Sequence, residues 1–519
     1  MCKRYLTMIE ISQKQAYIFS SNKLRDNIIN SAVIAWITHP EYLEKVVADK
    51  SIFSIERNLV YSGGGHTVLE FPTLPRAKAF TELVTSRIHK DYNDIEVFAR
   101  TIPYMEKDEN GKAMTPGDNL KKLTEKMERK KSVRRASFHQ GSFGIEKIDS
   151  TTLKPVLVNK KPVNEMPERE KKIDEELRPE NYNYVYQFEK LGGDKGDSNF
   201  IAVIHIDGNA MGHRVDELYA AYKDMEWEDF KERIKCFSLK IDKDFKSAYY
   251  EMELCVARNL SNDKLSKLKL TDHAFPVRRI ITAGDDICFV TEGRIGLECA
   301  AAFLKALSRK TNKVDEKEYA ACAGVAIVHQ KYPFYRAYEL AERLCKNAKM
   351  FGVSLDVESG RMVSAIDWHI EYGEIDASLK AIRRKYLTED GKRMEMRPYI
   401  VNAPEEINKK ESVRQYQNFK TLLQGIQSDE ISYARGKVTR LRTAIKQGEA
   451  ETRYFLQFNK IEDIVLKSYY NIFKKMDYSK IGTGQGYERP VFVRTNDGKE
   501  RSYLFDAIEI MNTYIALED

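Results

Sequence analysis

Residues Phe200-Ile-Ala-Val-Ile-His-Ile206 form a continuous apolar run. A run this apolar and this short reads as a strand covered on both faces, so the chain must build layers on either side of it. The run ends in Asp207-Gly208-Asn209-Ala210-Met211-Gly212. A carboxylate there is either a cap for the next helix or a ligand presented at the edge of a sheet. About 75 residues downstream lies Ala283-Gly284-Asp285-Asp286-Ile287-Cys288, set between the apolar runs Ile280-Ile281-Thr282 and Cys288-Phe289-Val290. The acidic pair therefore falls on a tight turn joining two short strands, where a glycine lets the backbone reverse. Adjacent aspartates supply hard oxygen ligands for a cation such as Mg²⁺. Each segment alone is ordinary. Together they predict that Asp207, Asp285 and Asp286 converge on two Mg²⁺ (or Mn²⁺) ions holding a triphosphate.

The order of elements agrees. A helical stretch at about 215–260 follows the Asp207 strand. After the hairpin, Ala300, Phe303, Leu304 and Leu307 mark one face of a helix at about 294–309. A strand follows at Ala320–Val328, and Phe334, Ala337, Ala341, Leu344 and Ala348 then step by threes and fours as an amphipathic helix does. The pattern βαββαβα is that of a ferredoxin-like domain, with its functional groups at the end of the first strand and on the central hairpin. His205 shares a face with Asp207 and reads as structural.

The segments IAVIHIDGNAMG, RRIITAGDDICFV and ACAGVAIVHQKYPFYRAYELAERLCKNAK resemble the second palm of the large polymerase/cyclase subunit of type III CRISPR effector complexes. More distantly they resemble diguanylate cyclases. The resemblance implies a two-metal nucleotidyltransferase that joins ATP into cyclic oligoadenylates, with Lys349 binding the triphosphate and Lys346 on a solvated face. It extends to the N-terminus, where Tyr5–Ile11 reads as a strand followed by Ser12-Gln13-Lys14-Gln15-Ala16-Tyr17-Ile18-Phe19. Leu59–Phe71 then repeats the strand–turn–strand shape, with Gly65-His66 in place of the acids. The expected fold is α+β: two ferredoxin-like palm domains, the first metal-incompetent, plus a helical C-terminal domain. The boundaries are 1–105 for the first palm, 106–185 for a charged insertion, 186–375 for the second palm and 376–519 for the helical part. In the family the palms face each other with two nucleotides between them. The implied nucleotide-binding set is Gly208, Gly284 and Lys349, with Ser62, Gly63, Gly64 and Gly65 of the first palm. The latter turn reads either as a backbone N–H site or as an ordinary hairpin.

The chain departs from the family pattern at Asn209, where an aspartate is usual, and at Ala283, which replaces a glycine. It has no His-Asp dipeptide, so the family's metal-dependent nuclease domain is expected to be missing. Its seven cysteines are isolated, with no CxxC pair, so no zinc site is expected. No apolar run approaches the ~20 residues needed to span a bilayer, and scattered cysteines suit a reducing cytoplasm. Net charge is +7 over 519 residues, which permits RNA contact without requiring it. Eight Lys or Arg lie within Lys121–Arg135, either a solvated helix or a surface for RNA or a partner. Tyr433–Ile445 and Ile461–Met476 read as C-terminal helices, where the family docks its small subunits. Two functions follow: a signalling nucleotidyltransferase using ATP or another NTP, or a non-catalytic nucleotide-binding scaffold of an RNA-guided complex.

Overall fold

The structure is a computed structural model that describes residues 4–92, 94–133, 145, 165–192, 199–355, 362–373, 378–428, 435–462, 465 and 491–518. The first palm runs β1 (Tyr5–Ser12), α1 (Lys14–Ile18), α2 (Leu24–Ile37), α3 (Pro40–Val46), α4 (Ile55–Asn58), β2 (Leu59–Gly63), β3 (His66–Phe71), α5 (Leu74–Asp91) and β4 (Glu96–Pro103), with strands in the order β2-β3-β1-β4. Alternation along β1 sends Leu6 and Met8 to one face and Ile9 and Ile11 to the other. Ala77, Phe80, Val84 and Ile88 of α5, at helical spacing, pack with the Ile9 side. On the Leu6 side lie Leu120, Leu123 and Met127 of α6 (Pro116–Ser132), a helix started by the reciprocal Thr115–Asp118 capping box.

α7 (Glu168–Leu177) follows in the inter-palm stretch and is pinned to the second palm, where the buried Arg278 guanidinium donates to both Asp174 carboxylate oxygens at 2.8 and 2.7 Å. Basic residues of this stretch are engaged within the protein. Lys121 pairs with Asp216 at 2.9 Å, Lys130 donates to the Ala99 carbonyl at 2.6 Å, and Lys131 pairs with Glu10 at 2.9 Å.

The second palm contains β5 (Phe200–Gly208), α8 (Met211–Ala221), α9 (Trp227–Ser261), β6 (Val277–Ala283), β7 (Asp286–Glu292) and α10 (Gly296–Ser308). A small ribbon of β8 (Thr311–Asn312) and β9 (Lys317–Glu318) precedes β10 (Ala321–His329) and α11 (Phe334–Leu355). The sheet then takes β11 (Ser364–Glu371) and β12 (Tyr399–Asn402), giving the order β12-β11-β10-β5-β7-β6. Its core β10-β5-β7-β6 repeats the fourth-first-third-second arrangement of β4-β1-β3-β2. Two copies of one ferredoxin-like fold are thus present, and the architecture is α+β. β5 is buried from Ile201 to Ile206, as its composition predicts.

The helical stretch expected at 215–260 is broken at Tyr222–Glu226. The break lets α9 re-aim so that the Trp227 indole donates to Glu70 of the first palm at 2.7 Å, beside Lys231 donating to the same carboxylate at 2.5 Å. Trp227, Phe230, Ile234 and Phe237 of α9 join the first palm's core, while Phe245, Tyr249, Met252 and Val256 join that of the second. One helix therefore ties the palms together. α1 adds a second tie, with Gln15 donating to the Tyr338 hydroxyl of α11 at 2.7 Å and the Phe19 ring tilted against that of Tyr338, centroids 4.2 Å apart.

The C-terminal part holds helices at Leu379–Arg384, Glu405–Lys410, Tyr416–Gln427, Arg435–Gln447, Glu449–Phe458 and Phe505–Ile510. The helix expected at Ile461–Met476 lies almost wholly outside the described residues. This part docks on α10 through buried Glu298, which accepts from the Tyr416 and Tyr514 hydroxyls at 2.7 Å each, from Lys420 at 2.5 Å and from the Leu517 amide at 3.0 Å. No helix among the described residues is long and apolar enough to cross a membrane.

α11 lies unusually close to β10. A Cβ on Gly324 would fall 1.9 Å from the Ala341 carbonyl oxygen and 2.3 Å from the Cys345 amide nitrogen. Both obstacles are helix backbone, so Gly324→Ala forces the whole helix outward. The expected loss is about 2–4 kcal/mol, at or above the usual cost of overpacking, read as a lower Tm by calorimetry.

Glu253 supplies a pH dependence. It is fully buried on α9 and accepts from Tyr184 at 2.8 Å and Tyr249 at 3.0 Å. Burial pushes its pKa from 4.5 up to about 8. The folded chain therefore keeps a proton that the unfolded chain releases. That stabilisation is complete below about 4.5 and is lost as pH rises through about 8. Glu253→Gln, neutral at every pH, should gain Tm relative to the parent between pH 5 and about 8 and level off above that. A constant Tm difference over that range would refute the assignment.

Candidate functional site

The acidic hairpin is built by pairing. Ala283 pairs with Asp286, which leaves Gly284-Asp285 as a two-residue turn. Gly284 has φ 67°, and the left-handed conformation at the first turn position alone is that of a type II′ turn, where glycine is favoured. On its other side β7 pairs with β5, placing Asp207 directly opposite Asp286. The Gly208 amide donates to the Asp285 carbonyl at 3.2 Å. A Cβ on Gly208 would sit 2.9 Å from the Asp285 Cβ, so the turn closes on β5 only because that position is bare. The structure thus brings Asp207, Asp285 and Asp286 to one edge of the sheet.

α11 delivers Lys349 to the same edge. Its ammonium pairs with Asp207 and donates to the Gly208 carbonyl at 2.9 Å. Lys346 is exposed, as its place on the helix predicts. Burial and then the Asp207 charge push both Asp285 and Asp286 up to about 7. Asp286 keeps 40% of its side chain accessible, so this is the field of an open cleft rather than of a sealed core. Burial pulls the Lys349 ammonium down, but the Asp207 charge more than offsets this and holds it above the usual lysine range.

His205 is buried, its ring edge-on to Tyr338 at 5.5 Å, and burial lowers its pKa. Its Nδ1 stands 3.5 Å from Asp286 Oδ1, and neither atom has a hydrogen-bond partner among the described residues. An orphaned carboxylate oxygen among like charges suits a hard cation. Among the described residues, however, no three His, Cys, Asp or Glu side chains gather closely enough to hold a metal as they stand. Asn209 takes no part in the cluster. Its side chain donates to the Val363 carbonyl at 2.8 Å, toward β11.

The first palm carries an equivalent edge. Glu10 lies opposite His66 in the β1–β3 pairing, just as Asp207 lies opposite Asp286. Gln13 and Ala210, each three residues further on, both start a helix from the left-handed region, with φ 50° and 54°. Lys131 of α6 pairs with Glu10 as Lys349 of α11 pairs with Asp207. Glu10, His66 and Lys131 therefore stand in the places of Asp207, Asp286 and Lys349. The sequence reading placed His66 at the acidic position but missed Glu10 and Lys131. Counting three residues back from each helix start would have found Glu10.

Gly63 pairs with His66, so Gly64-Gly65 is a turn with φ 57° and 75°, the two left-handed residues of a type I′ hairpin. This turn faces the acidic one, since a Cβ on Gly284 would lie 3.8 Å from the Gly64 nitrogen. The Ser62 side chain is directed into the first palm, at 2.9 Å from Thr67 Oγ1 and 3.3 Å from the Thr38 carbonyl. Gly63 lies against Ser238 of α9. Of the expected first-palm set, the structure brings the Gly64 turn to the cleft and Ser62 away from it. Burial, reinforced by the Lys14 charge, holds the His66 pKa down at about 4. Where the second palm has three carboxylates, the first has one carboxylate and a neutral imidazole.

Residues 200–352 match the family described as Cas10/Cmr2, second palm domain. No curated protein matches the chain in sequence. Among solved structures, the chain is similar to Csm1 in T.onnurineus, with TM-score 0.55 and 14% identity over 99% of this chain and 70% of that one. It is similar to a Csm1-Csm4 cassette in complex with pppApA, with TM-score 0.56 and 14% identity over 99% and 70%. A Csm1-Csm4 cassette in complex with cA4 gives TM-score 0.54 and 13% identity over the same shares. At these identities the likeness is one of fold. Residues 200–352 thus match a Cas10/Cmr2 second palm, and the chain as a whole, with its duplicated palms, shares the fold of Csm1.

Proposed function

We propose that the chain is a palm-type nucleotidyltransferase that makes cyclic or linear oligonucleotide second messengers from ATP in a CRISPR-like antiviral defence system of the cytoplasm. The observation that carries the proposal is the convergence of Asp207, Asp285 and Asp286 across from the first palm's glycine turn. The three carboxylates, with the orphaned Asp286 Oδ1 among them, fit Mg²⁺ or Mn²⁺ by their donor chemistry. Such ions, when bound, lower the pKa of an attacking ribose hydroxyl and neutralise charge on the phosphate under attack.

The chain's own residues do the rest. Lys349 stands beside the Asp207 carboxylate and can exchange it for a triphosphate. The Gly208 and Gly284 positions leave the backbone bare where a nucleotide approaches. Neutral His205 fills the space behind Asp286 without adding charge. The choice of adenine is supported by the neighbours crystallised with pppApA and cA4, and a small partner subunit by the Csm1-Csm4 cassettes. RNA is the further partner that such an assembly implies.

A second reading, a nucleotide-binding scaffold without turnover, is favoured by the absence of a closed three-ligand cluster among the described residues. Product analysis separates the two. Purified protein is incubated with Mg²⁺ or Mn²⁺ and each labelled NTP, beside the Asp285→Ala/Asp286→Ala double variant. Pyrophosphate release with an oligonucleotide product, reduced about 100-fold or more in the variant, is the expected result. No product from folded, nucleotide-binding protein, even with RNA added, would leave the scaffold reading.

A further inference from the structure

The cleft holds a cation that neither palm's own chemistry accounts for. Lys14 begins α1 directly after Gln13, whose left-handed backbone swings the chain away from β1. Its ammonium donates to the Gly64 carbonyl at the tip of the first palm's turn. It occupies space that only a glycine leaves open, because a Cβ on Gly65 would lie 2.7 Å from both Cε and Nζ. The turn that holds it lies against the acidic turn of the other palm, and burial lowers its pKa while the charges of Glu10 on its own palm and Asp286 on the other favour the ammonium. A lysine has three N–H donors, and among the described residues only the Gly64 carbonyl accepts from it.

We infer that Lys14 is a cross-palm positioning residue, a counter-ion to the second palm's carboxylates in the empty cleft that passes to a phosphate oxygen when a nucleotide binds. The inference rests on the nucleotidyltransferase reading and adds to it a residue from the opposite palm. The physics is a competition of like charges. A divalent cation arriving alone meets an ammonium already in the field of Asp286, and the two repel. A triphosphate arriving with the cation brings enough negative charge to hold both. Lys14 thus opposes the metal alone and favours the metal together with nucleotide, which makes the two ligands bind cooperatively.

The test measures Mn²⁺ binding by electron paramagnetic resonance and ATP binding by calorimetry on the full chain, with and without the other ligand. Lys14→Gln should tighten Mn²⁺ alone by about 3- to 10-fold and weaken ATP in the presence of Mn²⁺ by about 10-fold, opposite signs that amount to a lost coupling. Lys14→Arg should keep the parental order of both affinities. A Lys14→Gln protein with both affinities unchanged, or both lowered together, overturns the inference, because a merely structural lysine gives one of those results. Asp286→Asn tests the underlying site separately. If the parent binds Mn²⁺ and Asp286→Asn abolishes this while Lys14→Gln changes nothing, the inference about Lys14 alone falls. If the parent binds neither Mn²⁺ nor ATP, both it and the proposed function fall.

Discussion

β5 has no solvent-facing side, and that constraint sets the position of everything in the second palm. Its apolar run from Ile201 to Ile206 must be covered above and below, while β7 and β10 satisfy its backbone on either edge. Register on such a strand is strongly specified, because a slip of one residue would exchange its two faces. Fixing the register places Asp207 opposite Asp286 and His205 opposite Gly324. Gly324 in turn admits α11 at backbone contact, which sets the reach of Lys349 to Asp207 and of Tyr338 to His205. The geometry of the candidate site is therefore a consequence of packing. Strands aim Asp207 and Asp286, and only Asp285 sits on the turn.

Packing alone would leave an unstable charge distribution. Three carboxylates lie at one edge of a sheet, two of them pushed up to about 7 by burial and by the third. Lys349 balances them from within the second palm, and Lys14 of the first lies in the field of Asp286. The first palm shows what happens when the demand is relaxed. With His66 in place of an aspartate and glycine in place of its neighbour, a single carboxylate remains, and Lys131 pairs with it. The strand order, the left-handed helix starts and the lysine pairing survive, while the accumulation of charge does not.

Much of this was legible in the sequence because it rests on short-range rules. A continuous apolar run marked β5, apolar periodicity marked α10 and α11, the Gly-Asp-Asp turn marked the hairpin, and the family resemblance singled out Lys349 over exposed Lys346. What was not legible depends on distance. The break at Tyr222–Glu226 has no Gly or Pro to announce it and follows from the partner that Trp227 finds on Glu70 of the other palm. Ser62 reads from sequence as part of a turn facing a ligand, yet its hydroxyl is claimed by Thr67 and Thr38. Glu10 and Lys131 lie over a hundred residues apart, and the pair exists only once α6 is laid on β1.

The remaining asymmetry concerns how two copies of one fold are held face to face. A duplicated domain joined only by a linker would be free to separate, and a site lying between the copies would then have no fixed geometry. Here α9 contributes one half of its apolar face to each core, and α1 of the first palm packs on α11 of the second. These are the helices that border the two turns. The Gly64 turn is anchored through Ser238 of α9, which donates to the Ser62 carbonyl at 3.3 Å, and through Lys14 of α1. The acidic turn is held by β5, and Gln15 of α1 reaches the α11 tyrosine packed against His205. The tips lie close enough that a Cβ added at Gly284 would meet the Gly64 nitrogen at 3.8 Å, and they are bordered by α1 and α9, which contact both palms. The interface and the site are thus one structure, and a change that loosened α1 or α9 would alter the opening between Gly64 and Gly284 before it unfolded either palm.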